Sequence, residues 1–136
     1  MEDKQIELVE STWKQVLPIK EKAAELFYNK LFDLDPEVKH LFKTDLKVQG
    51  GKLMQTINFA VESARNLGDA VPAVQELGLK HVGYGVEKEH YNTVAEALLW
   101  TLGQGLGEVF TDEVKQAWTV FYTSIANVMI DASSYD

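Results

Sequence analysis

The chain has 136 residues, 46% hydrophobic and 10% aromatic, enough for one compact domain that buries about two thirds of its unfolded surface and too few for a second catalytic domain. Thirteen basic residues against 21 acidic ones give a net charge of −8 with no Lys/Arg-rich run, which excludes the electrostatic footprint of a nucleic-acid binder. The absence of cysteine removes disulfides, thiolate nucleophiles, iron–sulfur ligation and thioether-linked cofactors.

No apolar run approaches the roughly 18 residues of a membrane span. The opening MEDKQIELVE is acidic where a secretion signal is basic and then apolar, so a cytoplasmic protein without a membrane partner is expected. Ile6, Val9, Trp13, Val16 and Leu17 recur every three or four residues and form one stripe of an amphipathic helix, which Pro18 ends or kinks. A second helix is predicted over 19–34, with Ala23, Leu26, Phe27 and Leu31 on its inner face and Ala24 and Tyr28 beside them. Asp35-Pro36-Glu37 reads as an N-cap, a proline at the first helical position and an acid in the first turn, opening a short helix with Val38, Leu41 and Phe42.

The segment 44–49 is too short and polar for a strand. Leu53, Ile57, Ala60, Val61, Ala64 and Leu67 have helical spacing, and Asn66-Leu67-Gly68-Asp69 is expected to close that helix. A helix over 71–82 aligns Val74, Leu77 and His81, and a longer one from about Lys88 carries Tyr91, Val94, Ala95, Leu98, Leu99 and Leu102. Glycines 103, 105 and 107 are expected to break it. Thr111 then caps a last helix with Val114, Trp118, Phe121, Ile125 and Met129, and the tail 132–136 is expected to fray. With no run of period two, the fold class is all-α, a single domain over 1–136.

Among groups that carry chemistry, the histidines at 40, 81 and 90 are too scattered for a multi-histidine metal cage. No HExxH or paired ExxH motif appears. Gly103-Gln104-Gly105-Leu106-Gly107 lacks both the spacing and the preceding strand of a nucleotide loop, and most carboxylates sit on polar helix faces beside lysines. His81 stands apart, because it shares a face with Val74 and Leu77 and so points toward the core. Such a histidine is either a hydrogen-bonded core residue or a metal ligand. Tyr28, Phe42, Gln49 and Leu53 have spacings that allow them to face one cavity with it.

Five stretches in this order carry a family resemblance: LFYNKLF around Tyr28, DPEVKHLF ending at Phe42, QGGKLMQTI from Gln49, LGLKHVGYGV around His81, and AWTVFY around Trp118. Together they resemble the globins over nearly the whole chain, in particular the bacterial single-domain globins, the haem domain of flavohaemoglobins and the neuroglobin-like group. The resemblance implies a three-over-three helical sandwich holding noncovalent b-type haem. His81 matches the proximal iron ligand, offering Nε2 to iron while Nδ1–H donates to a carbonyl one turn back, that of Leu77. Phe42 matches the aromatic wedged against the porphyrin, and Val86, Tyr91 and Val94 are further haem contacts.

On the distal side Gln49 stands where a histidine is frequent, with Leu53 one turn on and Tyr28 from the second helix. Bound oxygen gains negative charge, so a Tyr hydroxyl and a Gln amide can both donate to it. One charge-assisted bond contributes about 1.5–3 kcal/mol, enough to slow oxygen loss more than tenfold, while carbon monoxide gains less. Glutamine is a poor sixth iron ligand, which argues against closure of the site by two histidines. Lys52 suits a haem propionate, the iron or solvent; Lys80 suits a propionate or water. Tyr84 is expected at the corner after the proximal helix.

Tyr91 matches the tyrosine through which flavohaemoglobins hold the proximal histidine. The partner glutamate's place falls near Ser133, with Asp131 as a substitute or a solvated acid. The implied function is reversible binding of O2, and of NO and CO, for transport or scavenging. The alternatives are a nitric oxide dioxygenase served by a separate reductase, since flavin and nicotinamide domains have no room in these residues, and a gas sensor or haem-free module.

Overall fold

The computed structural model describes residues 2–42 and 45–133. Six α-helices joined by short 3₁₀ turns account for nearly all of them: α1 (Asp3–Val16), α2 (Lys20–Leu34), α3 (Leu46–Glu62), α4 (Leu67–Gly83), α5 (His90–Leu106) and α6 (Asp112–Ser133). No strand occurs among the described residues. Helices α1, α3 and α4 form one layer and α2, α5 and α6 the other, with α4 and α1 crossing α6 and α3 crossing α2. The result is a three-over-three sandwich.

Each boundary has a local cause. Pro18 sits in the 3₁₀ turn Leu17–Ile19 and separates α1 from α2. After α2, Asp35 accepts a hydrogen bond from the Glu37 N–H at 3.2 Å; the short helix opened there is 3₁₀, Pro36–Leu41, and buries Val38. Asp45 caps α3 through the Lys47 N–H at 2.7 Å, so α3 begins at Leu46 and most of the segment left outside the helices is its first turn. Thr44 lies outside the described residues.

The closure expected at 66–69 falls earlier. A 3₁₀ turn, Ala64–Asn66, separates the helices, and Leu67, Gly68 and Asp69 already belong to α4, where the Asp69 carboxylate complements the positive helix end. Likewise α5 runs through Gly103 and Gly105, and only Gly107, with φ +58°, turns the chain out. A glycine at 105 suits close packing instead: an added Cβ would lie 3.2 Å from Ile19. Thr111 Oγ1 accepts from the Val114 N–H at 3.3 Å, opening α6. At its far end Ala132 and Ser133 are helical, and Ser133 donates to the Met129 carbonyl at 2.6 Å; residues 134–136 lie outside the described residues.

The core is centred on Trp118, with Val9, Ala97 and Ala117 also fully buried. Its polar edge is satisfied: the Trp118 indole donates to Thr12 Oγ1 at 2.9 Å, and Thr12 donates to the Leu8 carbonyl at 2.6 Å, tying α6 to α1. The Trp13 indole ties α1 to α3 through Asn58 Oδ1 at 2.9 Å. With this half welded shut, the far half of the sandwich is left open between α3, α4, α5 and α6.

Candidate functional site

That opening is a cavity of about 380 Å³, within the size range of small-molecule and cofactor sites. Its walls are chiefly apolar: Phe27 and Leu31 from α2, Leu53 and Ile57 from α3, Val94 and Leu98 from α5, and Phe121 and Ile125 from α6. Among these stand a few polar groups, namely Tyr28, Gln49, His81, His90 and Tyr91, with the exposed Lys52 and Lys80 where the space meets solvent.

His81 reaches the wall from the last turn of α4. Its Nδ1 lies 2.7 Å from the Leu77 carbonyl, and since a carbonyl only accepts, Nδ1 carries the hydrogen and neutral Nε2 keeps its lone pair. Burial lowers the affinity of the ring for a proton, against a smaller opposing pull from the Leu77 carbonyl. Burial thus favours the neutral imidazole. The turn after it is tightly specified: the His81 carbonyl accepts from the N–H groups of both Tyr84 and Val86, and Gly85 adopts φ +91°, a conformation side chains disfavour. Tyr84 occupies this corner, largely exposed, with its ring 5.7 Å from that of His81.

Two glycines set how closely the walls approach. An added Cβ at Gly78, one turn before His81, would sit 2.6 Å from the Met129 carbonyl oxygen and 2.7 Å from its Cα, so α4 rests directly on the α6 backbone. At Gly50 it would lie 3.0 Å from the Ala24 Cβ, which fixes the depth of neighbouring Gln49 against α2. Neither glycine stood out in the sequence, because the neighbours that demand them lie on other helices.

Tyr28 is buried, flanked edge-on by Phe27 and Phe42 at 5.2 and 5.3 Å and stacked on Phe32 at 6.0 Å. Burial pushes its phenol up to about 12, so the hydroxyl remains a hydrogen-bond donor at physiological pH. Gln49 lies in the first turn of α3, with Leu53 one turn on, and both line the cavity with Tyr28.

The family model for globins matches residues 25–129. This chain belongs to the globin family. It is 37% identical over 110 residues to a flavohemoprotein of Xylella fastidiosa, covering 79% of this chain and 28% of that one. It is 30% identical over 133 residues to a flavohemoprotein of Bacillus subtilis, covering 96% and 33%. The chain therefore spans about a third or less of the curated relatives it matches. A bacterial globin from Campylobacter jejuni superposes with a TM-score of 0.84 at 27% identity, covering 97% of this chain and 96% of that one. An engineered carbene transferase from Rhodothermus marinus, a candidate nitric oxide dioxygenase, gives 0.88 at 23% identity, covering 98% and 94%.

Within this globin, nine of the ten site residues expected from sequence line the cavity: Tyr28, Gln49, Lys52, Leu53, Lys80, His81, Val86, Tyr91 and Val94. Phe42 stands behind this wall, not on it. It leaves the 3₁₀ turn in extended backbone, φ −99° and ψ 99°, which directs its ring onto Tyr28 and onto Phe32 at 5.6 Å; Leu41 takes the place on the wall. Phe42 buttresses the phenol.

The sequence reading also missed His90. Its Nδ1 accepts from the Glu87 N–H at 2.9 Å, and Nε2 lies 4.0 Å from Asp35; a lone histidine at a helix start gives no signal of which surface it joins. Tyr91 is buried, and its carbonyl accepts from the Tyr122 hydroxyl at 2.8 Å. Asp131, the substitute for a relay carboxylate, is exposed, as a solvated acid is. Lys80 lies 3.8 Å from Glu76, and Lys52 is exposed. Among the described residues no group of three His, Cys, Asp or Glu could hold a metal ion. No helix among them is long and apolar enough to cross a membrane.

Proposed function

We propose that this globin holds one noncovalent b-type haem in the cavity through His81 and binds O2, and also NO and CO, reversibly beneath Tyr28 and Gln49. The observation that carries the reading is the 2.7 Å bond from His81 Nδ1 to the Leu77 carbonyl, which commits one ring nitrogen to the helix and leaves Nε2 as the coordinating atom. The donor set suits the group: apolar walls for the macrocycle, one neutral imidazole, and two lysines at the solvent side for its carboxylates. When bound, the haem supplies the iron that takes up the gas.

The residues of the chain do the rest. His81 holds the cofactor and sets its orientation, with the α4 backbone as the fixed support. The aliphatic and aromatic walls exclude water. Tyr28 and Gln49 donate hydrogen bonds to a ligand that gathers negative charge, so they retain oxygen more than carbon monoxide. A cytoplasmic location accords with a cysteine-free chain.

The test is spectroscopic. Purified protein shows a Soret band that is lost in His81→Gly and restored by added imidazole; a full-strength band in that variant without imidazole refutes the assignment. Oxygen dissociation accelerates by tenfold or more in Tyr28→Phe and Gln49→Leu, each removing one charge-assisted bond. Rates equal to wild type refute the distal assignment.

A second reading has its own support. The likeness to flavohemoproteins, together with the buried phenol that shares the cavity wall with Gln49, favours nitric oxide dioxygenation with a separate reductase as electron donor. Sustained nitrate formation with reductase present supports the enzyme, whereas a single turnover leaving oxidised protein supports the carrier.

A further inference from the structure

A second recess, of about 350 Å³, lies between α3 and α4. Its walls include Gln55, Phe59 and Glu76, and three further side chains, Thr56, Leu77 and Lys80, border both this cleft and the main cavity. We infer that the α3–α4 cleft is a passage by which uncharged diatomic gases reach the cavity, gated by Thr56 against Leu77. The inference rests on the haem-and-gas reading above.

The cleft exists because its two helices are anchored elsewhere: α4 lies on α6, and α3 on α2 and α1. The Leu77 backbone is held through its carbonyl, 2.7 Å from His81 Nδ1. Thr56, exposed at the mouth of the cleft, has its hydroxyl taken up by the Lys52 carbonyl at 2.8 Å, so its side chain presents a methyl group and a satisfied hydroxyl to the passage. Beside it Phe59 is 46% exposed, and the Glu76–Lys80 pair, at 3.8 Å, forms a charged rim. A small apolar gas crosses such a throat without a desolvation penalty, whereas an anion such as nitrate does not.

The test uses carbon monoxide on the haem-loaded protein, with association by flash photolysis and dissociation by ligand replacement. A gate changes the barrier in both directions equally. Thr56→Trp is expected to slow association and dissociation alike, by about tenfold, with their ratio unchanged, and Thr56→Ala to speed both. Wild-type rates in both variants with normal Soret bands overturn the passage and leave the haem reading standing. A change confined to dissociation also overturns it, because Thr56 would then act on the bound ligand. If Thr56→Trp fails to take up haem, Thr56→Ala decides: faster exchange supports the passage, unchanged exchange refutes it. A wild-type protein without a Soret band overturns the haem reading and the passage together.

Discussion

Replacing Gly78 by alanine tests how the proximal helix is seated. The new Cβ would lie 2.6, 2.7 and 3.0 Å from the carbonyl oxygen, Cα and carbonyl carbon of Met129, all backbone atoms of a 22-residue helix that cannot swing aside as a side chain would. Reaching ordinary contact at 3.4 Å requires α4 to retreat by about 0.8 Å. Overpacking of this kind costs about 1–3 kcal/mol, at the upper end when backbone is struck, while removing a mid-helix glycine returns about 1 kcal/mol. The balance is a loss of about 2 kcal/mol, a fall of roughly 6–10 °C in Tm. Urea denaturation followed by circular dichroism measures it, and because His81 lies three residues on, haem should also leave the variant faster. A Gly78→Ala protein as stable as wild type, with unchanged haem loss, would refute the reasoning.

Gly51→Ala should do the opposite, since nothing lies within 4 Å of the added Cβ: a gain of up to about 1 kcal/mol in the same denaturation, refuted by any loss. Thr12→Ala leaves the buried Trp118 indole N–H unpaired and should cost about 1–3 kcal/mol, largely recovered in Thr12→Ser; equal stability of the two would dismiss the hydroxyl's role. Tyr28 ionises late, near 12 in the folded chain against 10 when exposed, so its contribution to stability is complete below pH 10 and is lost as pH rises toward 12. The difference in phenolate absorbance between wild type and Tyr28→Phe should titrate near pH 12; a midpoint near 10 would mean an exposed phenol.

What depends on neighbours within one helix was legible. The three-to-four-residue recurrence located the α-helices, and the Leu77–His81 tether, implied by the family resemblance, is of the kind a spacing of four makes possible, because helix geometry brings those atoms together. Helix ends were less so at 66–69 and at 103–105, where glycine signals a break in isolation yet sits inside a helix.

The sequence by itself determined that the chain forms amphipathic helices around one core and that His81 points into it. Only the tertiary structure decided which helices touch, and through that contact the need for glycine at 78 and 50, the turning of Phe42 onto Tyr28, the placing of His90 on the cavity wall, and the cleft between α3 and α4. Periodicity records which face of a helix avoids water. It does not record the neighbour that covers that face, because any apolar surface of fitting shape satisfies the same hydrophobic demand.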